Sequence, residues 1–230
     1  MDDGLAVLVS LPKLSHLLLD GSKVSDVGLS HLARLPSLTA LYLESSDRPG
    51  RITDAGLAHL KALGKLDTLS INAANLTEAG FDALRETPLL TLGLSGLTAK
   101  QEGLIRILAT RPLKNLSLSG PGVTDDWLRS LASPSSLISN LNLDGTQVTD
   151  DGMNDLGALP RLDYLTLDGT GLTNAGLVRL GASRSLRLVS ARGTRVTDAG
   201  IAALHVVRPS INVELGPVVL PPRHRGGTNP

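Results

Sequence analysis

Few residues in this chain have side chains and spacing suited to covalent or metal chemistry. His31 and His59 fall at equivalent places in two successive segments, which could offer two imidazoles to a zinc ion. Helices packed side by side sit about 8 to 10 Å apart, and no third ligand accompanies the pair, so surface positions account for both. Asp144-Gly145-Thr146 and Asp168-Gly169-Thr170-Gly171 look like acid-bearing catalytic loops, but a repeating pattern generates both. No glycine-rich phosphate loop, serine elbow or acid paired with a base is present. Asn75-Leu76-Thr77 and Asn115-Leu116-Ser117 fit the glycosylation sequon, and each falls out of the same repeat. The expectation is a non-enzyme with no catalytic residue, metal or cofactor.

Charge and composition narrow the partners. Lys plus Arg and Asp plus Glu both number 22, so no net field draws the chain to nucleic acid or an anionic membrane. The absence of cysteine excludes disulfides, thiolate ligands and a cysteine nucleophile, and leaves the compartment open, with the cytoplasm favoured. Aromatic residues are only 2% of the chain, so its core must be built of leucine. The first residues lack the basic region of a secretory signal, and no stretch approaches the roughly 18 to 20 apolar residues of a membrane span.

The elements that must position any site repeat. A Leu-x-x-Leu-x-Leu phrase begins at Leu14, Leu38, Leu66, Leu89, Leu113, Ile138, Leu162 and Leu186, with a half unit opening at Ser210. The spacings run 24, 28, 23, 24, 25, 24, 24 and 24, the period of a solenoid rather than of a domain with a cleft. Alternation around Leu17 and Leu19 predicts a short strand. Leu29, Leu32 and Leu35 form one stripe of a helix that Pro36 ends. Ser25 is a candidate N-cap, Asp26 complements the helix dipole, and Val24 and Leu29 occupy the two positions of a hydrophobic staple. Thr53-Asp54-Ala55-Gly56-Leu57 and Thr173-Asn174-Ala175-Gly176-Leu177 repeat this grammar. Its glycine costs about 0.5 to 1 kcal/mol relative to alanine inside a helix, so we expect a side chain there to strike the neighbouring coil.

The consensus Leu-x-x-Leu-x-Leu-x-Gly-Thr-x-Val-Thr-Asp-Ala-Gly-Leu resembles the leucine-rich repeat, in the helical form found in bacterial proteins and in the receptor parts of F-box proteins. The resemblance covers roughly residues 3 to 215. It implies a right-handed α/β solenoid, or horseshoe, with a parallel sheet on the concave side and helices on the convex side. Residues 1-215 form the repeat domain: a helical half repeat at 1-13, eight full repeats at 14-209 and a half repeat at 210-215. Residues 216-230 form a partly disordered tail. The chain enters the solenoid midway, suggesting a piece of a longer protein or a covered first coil. Where the family uses Asn or Cys, this chain has Thr146, Thr170 and Thr194, whose hydroxyls are expected to bond the turn of the next coil in a weaker ladder.

By the same resemblance the strand residues that alternate with the buried leucines form the open face. Both tyrosines, Tyr42 and Tyr164, lie there, either as binding anchors or as covers over neighbouring strands. Glu44, Asn142, Asp144, Asp168 and Arg192 share that face, and Asp144, Asp168 and Arg192 read as a recognition strip or as a solvated edge. A four-residue insertion after Leu43 brings Asp47, Arg48 and Arg51 to the rim, as a carboxylate grip or a tolerated loop. Trp127 takes the glycine slot of its unit, and it either packs against the helix or lies exposed as an anchor. The function expected is non-catalytic binding of a protein or peptide on the concave face. The alternative is a structural scaffold or recognition arm of a larger protein, joined to its other domains and including a ubiquitin-ligase-type substrate receptor.

Overall fold

The computed structural model describes residues 2–44, 50–101 and 103–216. Two members of the rim insertion, Asp47 and Arg48, and the tail from residue 217 onward lie outside the described residues. The nine Leu-x-Leu segments form one parallel sheet whose strands neighbour one another in chain order. They are β1 (His16–Asp20), β2 (Ala40–Glu44), β3 (Thr68–Asn72), β4 (Thr91–Ser95), β5 (Asn115–Leu118), β6 (Asn140–Asn142), β7 (Tyr164–Thr166), β8 (Leu188–Ser190) and β9 (Asn212–Glu214). The register places like positions side by side: Leu17 faces Leu41, Leu69 faces Leu92, and Leu165 faces Val189. Period-two alternation sends these leucines inward and leaves the other parity on the open face.

A helix or a tight turn returns the chain between strands. The helices are α1 (Asp2–Leu5), α2 (Asp26–Leu32), α3 (Asp54–His59), α4 (Glu78–Asp82), α5 (Leu104–Ala109), α6 (Asp125–Leu131), α7 (Met153–Gly157), α8 (Asn174–Arg179) and α9 (Asp198–Val207). α2 stops at Leu32, one turn earlier than the sequence suggests; Leu35 is still buried, but from a turn that follows. Val24 and Leu29 are both fully buried, as the two positions of the staple require. The core is a continuous row of leucines with few aromatics, among them Phe81 and Trp127.

The residues expected to cap the helices have a longer-range partner. Asp26 accepts from the backbone N–H of Thr53 at 2.8 Å and from its hydroxyl at 2.7 Å, joining one coil to the next. The same two bonds link Asp54 to Thr77, Asp125 to Thr149 and Asp150 to Thr173. Asp2 holds Ser25 in this way, and Asn174 holds Thr197. Local capping is secondary. Thr53, Thr77 and Thr173 accept from the N–H two residues on at 3.2 to 3.3 Å, and Ser25 makes no side-chain cap bond.

This ladder explains the helical glycines. A Cβ on Gly56, Gly80 or Gly176 would overlap the carboxylate of Asp26, Asp54 or Asp150 respectively, and one on Gly28 would lie 2.6 Å from Asp2 Oδ1. The expected collision with the neighbouring coil is therefore a collision with the acid that ties the coils together. Trp127 obeys the same rule in reverse. The preceding coil carries Ala99 where the others carry Asp, Glu or Asn, and the indole takes the glycine position and is buried. Of the two readings of Trp127, packing is the one the structure adopts.

One junction earlier, Gln101 rather than Glu78 bonds the threonine that starts the next helix. Its Oε1 accepts from the N–H and hydroxyl of Thr98, and its Nε2 lies 3.3 to 3.4 Å from the carbonyls of Ala73, Ala74 and Leu76 in the coil before. The threonines after the strands behave otherwise than expected. Thr146, Thr170 and Thr194 donate to the carbonyls of Leu143, Leu167 and Ala191 within their own coils, each at 2.6 Å. A hydroxyl on one short arm reaches the carbonyl three residues back more readily than the next coil. The contact between those turns is made by backbone, as Gly145 N–H to Asp168 O and Gly169 N–H to Arg192 O. Gly145 and Gly169 both adopt the left-handed conformation there, with φ of 65° and 68°.

Gly56→Ala is expected to destabilise the protein by about 1 to 3 kcal/mol although alanine is the better helix former. Combining it with Asp26→Ala should recover part of that loss, since the second change removes the obstructing carboxylate. Urea unfolding of the two single variants and the double variant measures the coupling; additive losses would refute the steric account. Gln101→Ala should cost about 1 to 3 kcal/mol in the same assay by leaving the Thr98 turn and the preceding carbonyls without a partner.

Candidate binding face

The open face of the sheet carries the column Leu18, Tyr42, Ser70, Gly93, Ser117, Asn142, Thr166, Ser190 and Glu214, set by strand register alone. Beside it runs His16, Ala40, Thr68, Thr91, Asn115, Asn140, Tyr164, Leu188 and Asn212. Together these columns floor a cavity of about 540 Å³ that extends from Tyr42 on β2 to Tyr164 on β7. Five strand steps separate the tyrosines, about 24 Å at the usual spacing of roughly 4.8 Å.

Tyr42, Asn142 and Tyr164 are brought together by this cavity, and both rings are partly open to solvent. Between the tyrosines the floor is small: Ser70, Gly93 and Ser117 occupy the centre of the column. A chain of amides and hydroxyls crosses it, with Asn140 Nδ2 donating to Asn115 Oδ1 and Asn115 Nδ2 donating to Thr91 Oγ1 at 2.9 Å. Tyr42 also borders a shallower depression with His16, Leu17 and Leu18.

Asp144, Asp168 and Arg192 lie beyond this cavity, and their groups are already engaged. Asp144 Oδ1 accepts from Asp168 N–H at 2.8 Å, and Asp168 Oδ1 accepts from Arg192 N–H at 2.8 Å and from the Ser190 hydroxyl at 2.7 Å. Arg192 forms an ion pair with Glu214 on β9. The strip thus ties β6, β7, β8 and β9 together along their ends, whatever else it contacts. Glu44 ends β2 opposite Asp20. Arg51 is exposed and makes an isolated parallel bridge with Ser25, next to the start of α2.

Sequence reasoning missed Gln101, Thr166 and the pair Asp163–Arg187. Thr166 lines the cavity, is buried, and its hydroxyl finds no hydrogen-bond partner among the described residues. Its position on the open face was legible from the alternation; its burial was not, because that depends on the side chains of adjacent strands. Arg187 donates through two nitrogens to Asp163, a bidentate pair between the residues that precede Tyr164 and Leu188. The guanidinium bonds hold the Asp163 carboxyl below its ordinary pKa. Burial alone would raise the Asp2 carboxyl, but the hydroxyl and N–H of Ser25 outweigh it and the net shift is downward.

The architecture is that of an α/β leucine-rich repeat solenoid, with one open parallel sheet and a helical or turn segment returning from each strand. Solved structures with this fold include yeast Rad7, in its complex with Elc1, at 18% identity and a TM-score of 0.58 over 93% of this chain. This chain spans 65% of that chain's length. An internalin C2 of Listeria monocytogenes superposes with a TM-score of 0.54 at 19% identity, with 92% of both chains covered. No protein-family model matches the chain, and no curated relative matches it in sequence. Among the described residues no helix is long and apolar enough to cross a membrane.

Asp168→Ala should lower stability by about 1 to 2 kcal/mol through the loss of its bonds to Ser190 and Arg192, as read from the urea midpoint. The Asp163–Arg187 pair gives a pH signature. Because the folded carboxyl is depressed, its contribution is present above the ordinary carboxyl pKa and is lost as the pH falls through the lower folded value. Unfolding midpoints of the parent chain and Asp163→Asn should differ at neutral pH and converge in strong acid; a gap that persists there would contradict this assignment.

Proposed function

We propose that the chain is a non-catalytic protein-binding module that takes its partner on the concave sheet. The observation that supports this most directly is the continuous cavity between Tyr42 and Tyr164, floored by side chains that play little part in the core. Tyrosine brings a large, nearly rigid contact area with a polar tip, which suits it to anchoring an interface. The repeat residues are consumed by stacking, whereas these positions vary from coil to coil. The helical subtype, with Thr-Asp-x-Gly-Leu opening the helix, belongs to this reading as well. Asp144, Asp168 and Arg192 then form a border at one end of the face, with the exposed Arg51 beside the start of α2.

A second reading has its own observation. Val7, Leu11 and Leu18 on the first coil are exposed, while Leu14, Leu17 and Leu19 are only partly buried, so that end could dock against another domain as a recognition arm. The two readings separate cleanly. Tyr42→Ala with Tyr164→Ala should abolish capture of a partner in a pull-down with the whole chain and leave the unfolding midpoint nearly unchanged. Capture that survives those changes but fails on Val7→Ser with Leu11→Ser would move the site to the end coil.

A further inference from the structure

The cavity between the tyrosines lacks one thing that the rest of the surface has in plenty, which is charge. The chain has 44 charged side chains, yet all the residues that line this space are neutral: tyrosine, serine, threonine, asparagine, glycine and the underlying leucines. The nearest charged strip is held in bonds of its own, as Asp168 with Ser190 and Arg192. A charged group placed here would lose water and gain no opposite charge, a penalty that grows with burial. The floor therefore selects against phosphate, acidic and basic ligands alike.

The same floor suits a polypeptide backbone. Ser70, Gly93 and Ser117 leave the centre of the column low, so a partner's main chain can come close to the sheet. Thr91, Asn115 and Asn140 are bonded to one another, and the amide hydrogens and lone pairs they have left can meet peptide groups.

We propose that this groove binds an uncharged, extended polypeptide segment of about seven residues, running across the strands from Tyr42 to Tyr164. The length follows from the span of about 24 Å at roughly 3.4 Å per extended residue. The proposal rests on the concave-face reading given above and adds the chemistry of the partner. Neutrality has a direct consequence: binding should change little with ionic strength, because no ion pair is screened.

The test is selection of a random peptide library of about twelve residues, displayed on phage, against the whole chain, followed by titration of the selected synthetic peptides. The expected winners are uncharged over their binding stretch, and their Kd shifts less than about twofold between about 0.05 and 0.5 M NaCl. Binding should weaken at least about tenfold in Gly93→Arg, where a long cation would fill the floor, and similarly in Tyr164→Ser, a partly exposed position whose change spares the core. Unfolding midpoints of both variants identify any loss caused by misfolding, and Tyr164→Ser keeps the test decisive if Gly93→Arg fails to fold. Winners that carry net charge, or a Kd that rises steeply with salt, would overturn the neutral-segment proposal while sparing the concave site if Gly93→Arg still blocks them. Binding untouched by both Gly93→Arg and Tyr164→Ser would overturn the concave site itself. If no peptide is enriched, or a neutral oligosaccharide on a glycan array binds instead and is lost in Tyr164→Ser, the polypeptide assignment falls.

Discussion

A carboxylate at the start of one helix, accepting two hydrogen bonds from the threonine that starts the next, is the contact on which the rest of this solenoid depends. Stacking leucines buries apolar surface but does not fix one coil against another at a given height, because the hydrophobic effect has no direction. The Asp–Thr link has direction. It sets the distance between successive helix starts and requires a glycine where the carboxylate lies. Strand register follows at the other side of each coil, where like residues face one another from β1 to β9. Two successive junctions among the described residues depart from it: Gln101 bonds Thr98 in place of Glu78, and at the next, where Ala99 stands in the acid position, the buried Trp127 fills the glycine slot.

This arrangement separates structure from recognition within every repeat. Leucine, threonine, aspartate and glycine are committed to the core and to the links between coils. The open parity of each strand carries little of that burden, and there the chain places its two tyrosines and a run of neutral amides and hydroxyls. The acidic strip at the C-terminal end belongs partly to both groups. Asp144 and Asp168 stand on the open face, yet each bonds the backbone of the following strand and so acts as an edge clamp.

Much of the fold was legible because its signals are local and repeated. The period of Leu-x-x-Leu-x-Leu gave the number and order of the strands, and the parity of those strands gave the residues of the concave face. The steric role of the helical glycine was also readable, since a costly residue kept at one position needs a reason. Other expectations failed on particulars. Ser25 looks like an N-cap and makes no cap bond, Thr53 and Thr77 cap their helices but also bond the preceding coil, and the threonines after the strands look like links between coils. Thr146 and Thr170 instead bond within their own coils.

The sequence by itself determined the class of fold and which strand residues alternate with the buried ones, because these follow from spacing along one chain. Tertiary structure alone decided what each polar group bonds. The partner of Asp54 is Thr77, in the next coil, and Gln101 bonds Thr98 while reaching carbonyls in the coil before it. It alone showed that Tyr42 and Tyr164 border one neutral cavity with an unsatisfied Thr166 hydroxyl beside it. Periodicity says which face a residue is on; hydrogen bonds and burial depend on distances between residues a full coil or more apart.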